Sequence, residues 1–336
     1  MTSRGRSHSS RGIRTLSNIL ANRCSEERES FVDICGKEVR INGTLIRIGF
    51  IDGEGYQFLE DPESALRSLR GSRTRIDLFT FIQRLSESPT KLDYPMEWDN
   101  MATLPVSTFD DWMTKQIDFK VRNKVRKAAK NGVAVREVSF DDDYVKGIHA
   151  IYNESPTRQG KPFWHYGKDL ETVRKMNATF MDRSIFIGAY FEDSLIGFVK
   201  LVFDENRSQA GLMQIVSMTS HQDKAPTNAL IAQSVKSCAD RGISYLWYAN
   251  MSYGKKQVDG LADFKRHNGF QKIEIPRYYV PLTLAGRMAF RLGLHHGIAD
   301  WIPEPVAATY RKFRKQWYKK KTFSTEKMPS EPASQS

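Results

Sequence analysis

Between Ser184 and Leu282 the hydrophobic period changes repeatedly, and the order of those changes limits the folds open to this chain more than any other feature. SIFIGAYF (Ser184 to Phe191) and LIGFVKLVF (Leu195 to Phe203) are runs of β-formers parted by the turn EDS, and LMQIVSM (Leu212 to Met218) follows DENRSQAG. Such short connections predict three antiparallel strands. Pro226 suits a first helical turn, where its missing N–H would have no partner anyway. Ile231, Val235 and Cys238 then recur at helical spacing, and Gly242 ends the run. SYLWYAN (Ser244 to Asn250) reads as a buried strand and DGLADFKRHNG as a short helix. Asp259 is its expected N-cap and Gly269 its left-handed C-cap, with Phe270 packing back on Phe264. FQKIEIPRYYVPL closes the unit as a strand, and Pro276 within it argues for an edge or a bulge.

Three strands, a helix, a strand, a helix and a strand in this order resemble the GNAT acyltransferase fold. Two phrases, DGLADFKRHNGF with PRYYVPLT and RNKVRKAAKNGVAVREV (Arg122 to Val138), are similar to its FemAB-like branch, and together the matches span Phe109 to Leu282. The resemblance implies a mixed α/β fold of two tandem GNAT-like units with a basic helical C-terminal extension. It divides the chain into a disordered basic arm (1–30), a first unit (31–106), a second, acyltransferase unit (107–283), the extension (284–321) and a disordered tail (322–336). It also implies an enzyme, an amide-forming acyltransferase.

The length of 336 residues suits two domains, and 40% hydrophobic residues suffice for two cores. A net charge of +12 points to an anionic partner: CoA phosphates, an acidic carrier protein, RNA or anionic lipid. Solubility alone is the plain alternative. Cys24, Cys35 and Cys238 are too few and too scattered for a disulfide framework or a tetrahedral metal site, so no metal and a reducing, cytoplasmic location are expected. No apolar run is long enough to span a bilayer. The first acid is Glu26, and the Ser- and Arg-rich stretch before it reads as a disordered arm, with a transit peptide as the alternative.

In the first unit, Asn42-Gly43 between two apolar runs is a hairpin signal, followed by a helix at Pro62 to Leu69 and a strand at Ile76 to Ile82. Ser107 and Asp110 have capping-box spacing at the start of a helix on which Phe109, Met113, Ile117, Val121 and Val125 form one stripe. Lys115, Lys120, Arg122, Lys124, Arg126, Lys127 and Lys130 occupy its other faces, either as an anion-binding ridge or as ordinary solvated surface. Beyond the extension's start, Tyr310, Phe313 and Trp317 make an aromatic stripe among lysines and arginines. That helix can lie on an anionic membrane, giving peripheral contact with the inner face, or pack on the domain.

In a GNAT-type fold the two central strands splay and the acyl donor lies in the gap; here those are LMQIVSM and SYLWYAN. The resemblance then implies donor binding by Ser217, Lys224, Thr227 and Asn228. However, SMTSHQDKAPTNAL (Ser217 to Leu230) contains no glycine where the acetyl-CoA-dependent members carry a glycine-rich phrase. Without it the backbone approaches a pyrophosphate less closely, although a helix N-terminus remains as an anion site. Two donors stay open: an acyl-CoA or acyl-carrier thioester as co-substrate, with no permanently bound cofactor, or the aminoacyl-tRNA used by the best-known FemAB-like proteins. The acceptor is expected to be a small-molecule or lipid-linked amine of a cell-envelope or polysaccharide precursor. A third reading is a non-catalytic adaptor that binds membrane or an acidic partner.

Transfer to an amine needs a base, a polarised carbonyl and a protonated leaving group. Tyr253 lies where GNAT enzymes often place the acid. His165 and Glu154 are the base candidates, with His221 a third; a loop histidine is more often a surface hydrogen-bonder. SPTRQGKPFWHYG concentrates Arg158, Gln159 and Trp164 in one loop, and the resemblance puts it on the acceptor side. Lys200 interrupts an apolar strand, Gln214 stands on the first splayed strand, and Asn250 ends the second; all three are expected to bind substrate. The sequence carries no sign of an oligomeric state.

Overall fold

The computed structural model describes residues 30–87, 92–251 and 260–296. Its first unit opens on a hairpin of β1 (Ser30–Ile34) and β2 (Lys37–Asn42), turned by Cys35 and Gly36 at φ of 53° and 73°. Asn42-Gly43 does begin a second hairpin, into β3 (Ile48–Ile51), but with Asn42 opposite Ile48 its loop is longer than a two-residue turn. Helix α1 (Pro62–Gly71) begins where Asp61 accepts from the Ser64 N–H, and β4 (Leu78–Ile82) then runs parallel to β3. The unit ends in β5 (Met96–Pro105).

The helix expected from Ser107 is two pieces. Thr108, one residue later than the capping-box spacing suggests, accepts from the Asp111 N–H; a helical turn (Phe109–Asp111) widens into a π-helical one (Trp112–Gln116) and stops at extended Ile117. Helix α2 (Phe119–Lys130) restarts there, and the stripe nevertheless faces one core: Ile117 and Val121 are buried, and Phe109, Met113 and Val125 pack against them. Next come β6 (Ala134–Val138), α3 (Asp142–Asn153), the small ribbon β7 (Thr157–Arg158) and β8 (Lys161–Pro162), and α4 (Leu170–Asn177). The stretch that dominates the sequence supplies β9 (Ser184–Phe191), β10 (Ser194–Phe203), β11 (Gln209–Ser217), α5 (Pro226–Ala239), β12 (Tyr245–Trp247), α6 (Gly260–His267) and β13 (Gln271–Pro281). Helix α7 (Leu284–Arg291) follows. Gly269 is left-handed at φ 89° and lets the buried Phe270 donate its N–H back to the Lys265 carbonyl, as the α6 C-cap requires. Asp259 and the extension beyond residue 296 lie outside the described residues.

One 11-stranded sheet joins everything but the ribbon, in the order β1-β2-β3-β4-β13-β5-β12-β11-β10-β9-β6. Its two halves mirror one another. In each, antiparallel strands are followed by one parallel step, β3 with β4 and β11 with β12. Each unit's last strand then crosses to the other unit, so that β13 pairs with β4, β5 pairs with β12, and the two meet antiparallel in the middle. This is a tandem GNAT-like fold with exchanged strands.

The exchange places Pro276 in a central strand and not at an edge. It is tolerated because β4 pairs with β13 only from Arg277 onward, so one flank of the strand is open at the proline. Helices α2 and α5 cover one face of the second half over Ile187, Val199 and Leu201, while α3 covers the other over Phe186 and Phe198. Helix α1 serves the first half, packing Leu66 with Phe79 and Tyr278. No helix among the described residues is long and apolar enough to cross a membrane.

Candidate functional site

The parallel step in the second half is short. β11 and β12 pair only from Gln209–Tyr245 to Gly211–Trp247, after which the chain leaves β11 to follow β5: the Tyr248 N–H donates to the Ala102 carbonyl, and the Ala102 N–H to that of Ala249. From Met213 to Ser217, β11 is therefore held by β10 on one flank and has no sheet partner on the other among the described residues. Met213, Gln214, Ile215 and Val216 are half-buried there. A bulge falls at the mouth of this gap, because Leu201 faces Leu212 while Lys200 faces Gln214, leaving Met213 without a counterpart. Bulges re-aim backbone groups beside sites, and backbone N–H groups on an open flank can reach a bound carbonyl.

The closed end of the gap is packed. Tyr56 and Trp247 lie with ring centroids 4.8 Å apart over Gly211, where a Cβ would stand 2.5 Å from the indole and 2.6 Å from the Tyr56 ring. Only glycine admits that pair so close to the strand. On the far side, Lys265 of α6 is fully buried, donates to the Asn250 carbonyl at 2.7 Å and lies 4.4 Å over the Tyr248 ring, so it fixes the diverging segment.

The α5 N-terminus stands at the other end of β11. Its approach, Thr219–Lys224, is two 3-10 turns kinked at His221, and left-handed Ala225 at φ 55° turns the chain into the helix. Ser217 and Thr227 hydroxyls bond at 2.9 Å, and buried Asn228 donates to Asn268 at 3.2 Å. Two of the expected donor-binding residues, Ser217 and Thr227, thus meet where a helix N-terminus favours an anion, while Asn228 is turned to Asn268. Lys224 points away, 4.5 Å over the Phe191 ring.

Beside the diverging segment lies a charged cluster in which Asn250 alone is an expected site residue. Arg277 of β13 donates to Glu54 at 2.7 Å and to Asp99 of β5 at 3.1 Å, and Asn250 donates to the other Asp99 oxygen at 3.1 Å. All four side chains are almost wholly buried. Burial pushes the Glu54 carboxyl above its ordinary range despite Arg277, and its Oε1 has no hydrogen-bond partner. Perturbed groups of this kind cluster at functional sites and also occur in structural ion-pair networks. The signal was present as charges inside two apolar strands, MEWDNMATLP and QKIEIPRYYVP.

The other expected residues fall around the gap in different roles. Glu154 accepts from the Thr219 and Ser220 N–H groups at 2.7 and 2.8 Å and from the Ser220 hydroxyl, and Arg158 donates to the Ser217 and Ile151 carbonyls at 2.6 and 3.0 Å. The pair braces the turn that leads into α5. Burial would raise the Glu154 carboxyl, but these donors outweigh it and hold the group at about 2, too acidic for a base near neutral pH. His221 shares a hydrogen bond with Ser220 on that turn. His165 stacks on Tyr152 at 4.1 Å, and burial pulls it down to about 4, so it is neutral at pH 7. Trp164 carries Lys168 over its ring at 3.9 Å, and Gln159 sits at the ribbon turn with φ 51°. Lys200 is fully buried on the α3 face, donating to the Asn177 carbonyl at 2.8 Å and to the carbonyl and hydroxyl of Thr179. It caps the end of α4, and burial lowers its ammonium to about 7. Tyr253 lies outside the described residues. A groove lined by Arg136, Asp141, Tyr190 and Asp193 lies at the outer β6 edge and shares none of these groups.

No protein-family model matches the chain, and no curated protein does. Solved structures do. The crystal structure of FemX superposes with a TM-score of 0.54 at 11% identity, covering 79% of this chain and 89% of that one. The C-terminal domain of a protein described as a lysylphosphatidylglycerol synthetase, from Agrobacterium fabrum, gives 0.52 at 12% identity over 78% and 86%. At such identities the likeness is one of fold, and it agrees with the tandem GNAT-like topology read from the sheet.

Proposed function

We propose that this chain is an acyltransferase of aminoacyl-transferring kind, which lays an activated aminoacyl ester in the gap between β11 and the Tyr248–Asn250 segment and passes the acyl group to an amine. The observation that carries this reading is the open flank of β11, with its bulge at Met213. A planar carbonyl fits beside such a flank as an added strand would, and a backbone N–H there stabilises the oxyanion as the amine attacks. The amine must lose a proton, and the leaving 3′ oxygen must gain one. Glu54, raised by burial and held by Arg277, is the group assigned to that exchange, through water or directly.

A tRNA-borne donor is favoured over a thioester by two features. The glycine-free turn Thr219–Lys224 is compact where a pyrophosphate cradle would need an open loop. Helix α2 packs on that turn and on α5, and exposes Lys120, Lys124, Arg126, Lys127 and Lys130. A basic ridge at the donor mouth suits a polyphosphate backbone. The second reading, a CoA or carrier-protein thioester, is kept by the α5 N-terminus with Ser217 and Thr227. On the adopted reading the acceptor is a small or lipid-linked amine of a cell-envelope precursor.

The test is transfer of radiolabelled amino acids from a mixture of charged tRNAs to a panel of amines, with labelled acetyl-CoA in parallel. Label from tRNA is expected on an amine. Label from acetyl-CoA alone would install the thioester reading instead.

A further inference from the structure

Helix α7 ends in a turn that brings two histidines against β5. Glu97 Oε1 lies 3.2 Å from His295 Nε2 and 3.1 Å from His296 Nε2, and one ligand atom from each residue lies within 4.8 Å of the others. The two imidazoles are almost wholly buried, at 1% and 7% side-chain exposure, while Glu97 is 31% exposed. His295 stands between Tyr279 and Phe290, with centroids 4.7 and 4.9 Å away, and the two histidine rings are 3.9 Å apart. Aromatic walls thus fix the first ring, and the second lies against it.

We infer that Glu97, His295 and His296 form a binding site for one borderline-soft transition-metal dication, zinc fitting best, which fastens the segment after α7 to the exchanged strand β5. Zinc takes histidine nitrogen and carboxylate oxygen at about 2.0–2.2 Å, and tetrahedral geometry then sets ligand atoms roughly 3.4 Å apart. The 3.1 and 3.2 Å nitrogen–oxygen separations need only a few tenths of an ångström of spreading, and the two nitrogens, within 4.8 Å of one another, settle to that spacing as the rings turn onto the ion. Both rings meet Glu97 through Nε2, which donates to the carboxylate in the cation-free state, and a cation bound there takes the place of those protons while Nδ1, buried without a partner, carries the ring proton. Both Nε2 atoms are left facing one carboxylate oxygen, an arrangement a cation completes. Three protein ligands leave a fourth position for water on the exposed side of Glu97. This site shares no residue with the β11 gap, so its role is to anchor the extension and not to carry acyl transfer.

The experiment uses the full chain with any polyhistidine tag removed, dialysed against a chelator. Cobalt(II) is titrated in while the visible absorption of tetrahedral cobalt is recorded, and zinc is then added to displace it. One equivalent of cobalt, displaced by zinc, is expected for the wild type. Glu97→Gln should weaken uptake at least tenfold, and the double variant His295→Ala, His296→Ala should abolish it, with circular dichroism confirming that both fold. Absence of saturable uptake by the wild type near pH 7.5 would overturn the inference whatever the variants do, as would undiminished uptake by the folded double variant.

Discussion

Arg277 holds two carboxylates, Glu54 and Asp99, and all three side chains are almost wholly buried. Removing the cation alone leaves both acids buried and uncompensated, a loss that costs about 3–5 kcal/mol in comparable pairs. Arg277→Met should lower the urea midpoint accordingly, and an unchanged midpoint would mean the cluster is hydrated and loosely held. Glu154 makes a different prediction, with a sign fixed by its lowered carboxyl. Its stabilising effect is complete above the ordinary value of 4.5 and is lost as pH falls towards about 2. Glu154→Gln should therefore flatten the acid limb of the stability curve between those values, as chemical unfolding at several pH values would record. The same variant should slow transfer, since the turn into α5 loses its brace.

At the level of elements, α2 is where function and fold are most easily separated, because its apolar stripe is buried and its cations are exposed. Replacing Lys124 and Lys127 by Glu should leave the melting curve in place but weaken tRNA retention. Its salt dependence should become shallower by about 1 for each phosphate contact removed. Undiminished retention would move the nucleic acid off this helix. The elements of the second half were legible because each carries a strong local signal: Pro226 at the start of α5, the left-handed Gly269 after α6, the β-runs of β9 to β11. MEWDNMATLP is not legible as β5, because Asp99, which faces a buried polar cluster, and its neighbour Asn100 break the apolar run. Lys200 was legible as an anomaly but not in role, since the α4 carbonyls it caps come from residues more than twenty positions earlier in the chain.

For the whole molecule, the exchange of β5 and β13 ties two units into one sheet, and a boundary drawn at residue 107 cuts β5 away from the unit it completes. A fragment of residues 107–296 would leave β12 and β13 with unpaired edges in what is now the centre. It should fail to fold on its own, whereas residues 30–296 should melt in one transition by circular dichroism. Independent, reversible melting of the shorter fragment would show that the exchange is dispensable. Strand exchange of this kind is invisible to local sequence patterns, which is why Pro276 read as an edge residue.

The gap beside β11 is the centre of the functional reading, and blocking it is the most direct test. Gln214 stands on the open section, half-buried and opposite Lys200, so Gln214→Trp would fill the gap from a position whose backbone is already held by β10. Charged-tRNA transfer by this variant, measured with its melting temperature, is expected to fall by at least a hundredfold while the fold persists. Transfer at the wild-type rate by the folded variant would contradict the placement of the donor in that gap.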